Sequence, residues 1–145
     1  MSRSAEASLE ELMRKPLADA TCLEIQLELI RRRKFNAFSG ERVASALLEY
    51  RDLWDAVMMD RLAISNPGRL PSLGMVKLRD LARNDWNVDT LYILARNQEN
   101  ADKLAQLFNN PEWGALADVH SDREDVDDAL AGAKPGQSIV IVWWS

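Results

Sequence analysis

One cysteine, one histidine and six glycines are scattered through 145 residues, and each scarcity closes off a chemistry. With Cys22 alone, the chain has no internal disulfide and no thiolate set for a zinc ribbon or an iron–sulfur cluster. Set among Leu23, Ile25 and Leu27, it reads as a small buried hydrophobe rather than a reactive thiol. His120 stands far from Cys22, so neither a Cys–His nucleophilic pair nor a multi-histidine metal site has material within one chain. The glycines form no Walker-type loop and no dinucleotide fingerprint, which argues against an ordinary nucleotide enzyme. No cofactor is implied. The longest uninterrupted apolar run, 139–144, is far short of the roughly 20 residues of a membrane helix, so no membrane association is expected. The opening Met1-Ser2-Arg3-Ser4-Ala5-Glu6 lacks the basic start and apolar stretch of a secretory signal, and the expected location is cytoplasmic.

What is present is balanced in bulk and unbalanced in place. Hydrophobic residues at 47% and charged residues at 28% suit a globular chain with a substantial core. Residues 1–83 carry 14 Lys/Arg against 12 Asp/Glu, a balance of +2, whereas residues 84–145 carry 4 against 11, a balance of −7. An acidic C-terminal part disfavours phosphate backbones and anionic lipid and favours a basic partner. The one concentrated basic run, Arg31-Arg32-Arg33-Lys34, falls at a predicted helix end, where cations suit the dipole. It has no interleaved aromatics, so nucleic acid is an unlikely partner.

Patterning divides the chain into a helical region over 1–66, a linker with a short helix over 67–88, and a βαβαβ unit over 89–145. The first two pieces begin with a short helix over 7–15, stopped by Pro16. Thr21-Cys22-Leu23-Glu24 is a capping box that opens a second helix. The alternation of Leu23, Ile25, Leu27 and Leu29 with polar residues is a strand-like counterargument, and helix-forming composition favours helix over 22–30. Val43, Leu47, Tyr50, Trp54, Val57 and Met58 step by threes and fours, which predicts a long helix over 40–63. The intervening Phe35-Asn36-Ala37-Phe38-Ser39-Gly40 would make a helical hairpin of the pair. Asn66-Pro67-Gly68 marks the boundary, and a short helix over 73–83 follows.

In the last third, strands are predicted over 91–95, 115–120 and 138–144. Asn97 caps a helix that ends before Pro111, and Ser121-Asp122-Arg123-Glu124 opens another that runs to Gly132. Short strand–helix–strand connections predict parallel pairing. The fold class is thus α+β or α/β: an N-terminal helical hairpin packed on a small parallel βαβαβ sheet, the two forming one body. Ile139-Val140-Ile141-Val142-Trp143-Trp144 is apolar on both faces, as in a strand covered on both sides.

Two candidate sites follow. The carboxyl edge of a parallel sheet is the usual place for a ligand, and here it would carry Arg96, Asn97, His120 and Trp144; helix N-termini there would suit an anionic small molecule or substrate. Asp118, His120 and Asp122 lie two apart, but their spacing matches no closed ligand set, and no metal is assigned. The second candidate is the acidic helix with Asp122, Asp125, Asp127 and Asp128, together with Trp113 in an aromatic-bearing loop. No convincing catalytic set exists, so the reading leans away from an enzyme. It leans toward a protein–protein interaction module for a cognate basic protein, of the immunity or antitoxin kind or a regulatory subunit. Self-association into a homo-oligomer is the third reading.

Overall fold

The computed structural model describes residues 3–61, 78 and 80–145. Helix α1 (Arg3–Arg14) precedes α2 (Cys22–Arg32), whose capping box is formed as the sequence implies. Thr21 Oγ1 accepts from Glu24 N at 3.1 Å, and Thr21 N donates to Glu24 Oε1 at 3.0 Å. Lys15 Nζ also reaches this carboxylate at 2.8 Å, and this hydrogen bond, with that from the Thr21 backbone, holds Glu24 below the ordinary carboxylate range. The 22–30 segment is therefore helix. Cys22, at the first turn, is exposed rather than buried.

After α2 the chain makes a tiny hairpin, β1 (Lys34–Phe35) and β2 (Phe38–Ser39), before α3 (Gly40–Glu49). Phe35 and Phe38 stack with ring centroids 5.1 Å apart. Gly40 sits so tightly on the end of α2 that a Cβ there would lie 2.0 Å from the Ile30 carbonyl oxygen. The expected long helix over 40–63 is not formed. α3 stops at Glu49, and β3 (Trp54–Asp60) takes over after a short 3-10 turn. The threes-and-fours stepping spans this junction by coincidence: Val43 and Leu47 fall on the buried face of a helix, whereas Val57 and Met58 are neighbours on opposite faces of a strand, Val57 buried and Met58 exposed. The predicted break at Asn66-Pro67-Gly68 and most of the predicted 73–83 helix lie outside the described residues; Leu81–Arg83 is a 3-10 turn.

β4 (Thr90–Ala95), α4 (Gln98–Phe108), β5 (Ala115–His120), α5 (Arg123–Leu130) and β6 (Ser138–Trp144) follow in the predicted order. Asn97 caps α4 by accepting from Asn100 N at 2.8 Å. Asp122 rather than Ser121 caps α5, accepting from Asp125 N at 3.0 Å. The sheet itself corrects the sequence reading: its order is β3-β4-β6-β5 and every neighbouring pair is antiparallel. β4 and β5 run the same way, as a βαβ unit requires, but β6 is inserted between them. After the eight-residue α5 the chain re-enters the sheet at the end at which it left, Ile139 pairing with His120, and β6 runs back along β5. A carboxyl edge of a parallel sheet does not exist here.

The register sorts the side chains into rows. Met59, Leu91, Val142 and Ala117 form one inward row, and Val57, Ile93, Val140 and Val119 the next. Against this face lie Leu27 and Ile30 of α2, Val43 and Leu47 of α3, and Leu104 and Phe108 of α4. One hydrophobic cluster therefore joins the N-terminal helices to all four long strands. Trp54 Nε1 donates to the Leu47 carbonyl at 2.8 Å and Trp144 Nε1 to the Trp113 carbonyl at 3.0 Å, so these two buried indoles have their polar atom satisfied.

Candidate functional site

The opposite face of the sheet is built differently. Its rows are Asp60, Thr90, Trp143 and Leu116; then Met58, Tyr92, Ile141 and Asp118; then Ala56, Leu94, Ile139 and His120. Among the described residues, one short helix, α5, lies across this face and seats itself by Val126, which is buried yet separate from the main core. Beside it runs a groove of about 630 Å³. Its floor is Met58, Tyr92, Leu94, Ile139 and Ile141; one wall is Val126, Ala129 and Leu130; Asp60, Asp125 and His120 stand at the rim. Met58 is 47% exposed and Leu130 36%. Among the described residues, no Lys or Arg lines it.

Carboxylates set the field at one end. Asp89 accepts from Thr90 Oγ1 at 2.8 Å and from Trp143 Nε1 at 3.4 Å, which holds it beside the outer row that carries Asp60. The phenol of Tyr92 is pushed above its ordinary value, first by burial and then by the charges of Asp60 and Asp89. The other end is tied down by a polar relay. Asp55 accepts from Arg96 Nε at 3.1 Å and from Gln137 Nε2 at 2.9 Å. Gln137 Oε1 accepts from Lys134 N at 2.9 Å, and Arg123 Nη1 reaches the Gln137 carbonyl at 3.4 Å. This relay fixes the loop after α5 to the bulge in β3.

The residues nominated from sequence scatter over this frame. Arg96, Asn97 and His120 do come to one end of the sheet, because Ala95 pairs with Ser138 and His120 with Ile139. Trp144 is at the other end, paired with Ala115 and buried. Arg96 is ion-paired to Asp55, and Asn97 is spent on its cap. The four do not form one pocket.

Of the acidic set, Asp122 caps α5 and Asp127 is bound by Arg123 Nη2 at 2.7 Å. Asp125 lines the groove, and Asp128 is exposed on the same helix. Trp113 is buried against Phe108, with the Arg42 guanidinium 4.6 Å from its ring centroid. The basic run is matched by acids: Arg31 by Glu28 and Glu41, Arg32 by Glu28, and Arg33 by Asp85 at 3.1 Å.

Met58, Tyr92, Leu94, Ile139 and Ile141 were not singled out from sequence. The available signal was the two-sided apolarity of β6, which implied a second covered face without saying what covers it. Among the described residues, no group of three or more His, Cys, Asp or Glu could hold a metal ion, and no helix is long and apolar enough to cross a membrane. No protein-family model, curated protein or solved structure matches this chain.

Proposed function

We propose that this protein is an interaction module that binds a basic protein partner through the groove face and the acidic flank of α5. A single observation carries the reading: an apolar groove whose charged lining, among the described residues, is acidic, with Asp60 and Asp125 present and no Lys or Arg. Apolar surface supplies the attraction between proteins, and charge of one sign around it selects the partner and speeds encounter. The overall excess of acid in residues 84–145 extends that field beyond the groove.

The test is affinity capture on the immobilised chain, followed by purification of the captured protein and calorimetric titration. Asp125→Lys with Asp128→Lys is the informative variant, since neither residue is the cap nor the partner of Arg123. A basic partner whose affinity falls at least tenfold on this reversal supports the reading. An acidic partner, or a basic one indifferent to the reversal, overturns it.

A further inference from the structure

We infer that the element this groove receives is an amphipathic α-helix carrying Lys or Arg on its flanks, laid beside α5. The inference rests on the interaction reading above and specifies the shape of the occupant.

Three observations point to a helix. First, the sheet is a layered structure with unequal layers. The inward face is covered by α2, α3 and α4, while the described cover on the outward face is the eight-residue α5. The floor spans β3, β4 and β6, two inter-strand spacings of about 4.8 Å, close to the roughly 10 Å diameter of a helix. Second, α5 turns Val126, Ala129 and Leu130 toward the groove, an i, i+3, i+4 stripe of the kind that packs against a neighbouring helix. Ala129 and Leu130 are exposed, so two of the three members of that stripe have no described cover.

Third, the edge of β5 is capped at its middle. The Asn109 side-chain amide binds both backbone groups of Ala117, with Nδ2 donating to its oxygen at 3.0 Å and Oδ1 accepting from its nitrogen at 2.8 Å. β-Augmentation needs those groups. Helix-in-groove recognition instead uses a face.

The charge of the occupant follows from the rim. Asp125 stands on the α5 side, and Asp118 lies in the same row as Ile141. A helix with leucines at i, i+3, i+4 and i+7 would set its apolar stripe on Met58, Ile139 and Ile141 and project cationic flanks toward these carboxylates.

Three synthetic peptides of equal length test this, read by NMR shifts of the Met58, Ile139 and Ile141 methyl groups. One has leucine and lysine in helical spacing, one has the same composition in strict alternation, and one has helical leucine with glutamate. The first is expected to shift all three methyls, to become helical on binding, and to lose at least tenfold in affinity with Met58→Glu, a substitution at a side chain already 47% exposed. Ile141→Ala is a second variant that lowers affinity without placing a charge in the sheet. Equal or better binding of the alternating peptide at these methyls overturns the helical occupant and leaves the basic-partner reading standing. Equal binding of the glutamate peptide overturns both. No methyl shift with either basic peptide overturns the inference, while the partner capture decides the broader reading separately.

Discussion

Asn109 holds Ala117 by both its backbone nitrogen and its backbone oxygen, at 2.8 and 3.0 Å. Because the N–H and C=O of one residue in an antiparallel strand point the same way, these two groups face away from β6, at the outer margin of the sheet. A side-chain amide there imitates a further strand for one residue and closes the edge to others. Asn109→Ala is expected to cost about 1–2 kcal/mol through two lost hydrogen bonds and to raise self-association. Urea unfolding and sedimentation velocity measure the two effects. Unchanged stability together with an unchanged sedimentation profile would show that the amide closes nothing.

Gly40 meets the carbonyl oxygens of Ile30, Arg31 and Arg33 where α3 crosses the end of α2. A methyl group at 2.0 Å from backbone oxygen has nowhere to go, and the two helices must separate. Gly40→Ala is expected to destabilise by on the order of 3 kcal/mol, the upper range of overpacking, as a lowered urea midpoint with little change in slope. A loss below the measurement error would refute the tight crossing.

Asp55 links β3 to the loop that follows α5 through Gln137, and to the end of β4 through Arg96. Since α5 has one buried apolar anchor, Val126, the relay carries much of its attachment. Asp55→Ala is expected to increase hydrogen exchange across residues 123–137 while β4 and β6 keep their protection. Uniform loss of protection over the sheet would mean that Asp55 supports the whole fold instead.

Tyr92 has its phenol raised by burial, with Asp60 and Asp89 adding to the shift. A raised folded value means that the unfolded chain loses this proton first. The associated stability is complete below the ordinary phenol range near 10 and declines as pH rises through the folded value. Ultraviolet titration of the wild type should therefore show one late phenol. Asp89→Asn is expected to bring it partway back and Tyr92→Phe to remove it. A titration unaltered by Tyr92→Phe would place the late phenol elsewhere.

The parts of this fold legible in the sequence are those decided within one turn of chain. Thr21 with Glu24, Asn97 with Asn100, and the strand over 115–120 all stand where their local chemistry puts them. The helix-to-strand junction at Glu49–Trp54 was not legible, because no glycine or proline marks it and Tyr50, Trp54 and Val57 continue the helical spacing by coincidence. Sheet order was not legible either. Period-two burial says that Val140 and Val142 face a core, but not that β6 lies between β4 and β5. The groove followed from that order: only when Ile141 is placed between Tyr92 and Asp118 does an apolar floor with an acidic margin come into view.

The insertion of β6 has a temporal consequence during synthesis. β4 and β5 share no pairing with each other: β5 pairs only with β6, and β4 has its second neighbour in β6, the last described strand in chain order. While a ribosome still holds residues 138–144, β5 has no neighbour and β4 has only β3. The closing step is thus a long-range zippering on both margins of one strand at once, and contacts of such sequence separation slow folding. A nascent chain stalled before Ser138 would present two unsatisfied strand margins to the quality-control machinery, and release of seven further residues would remove both together.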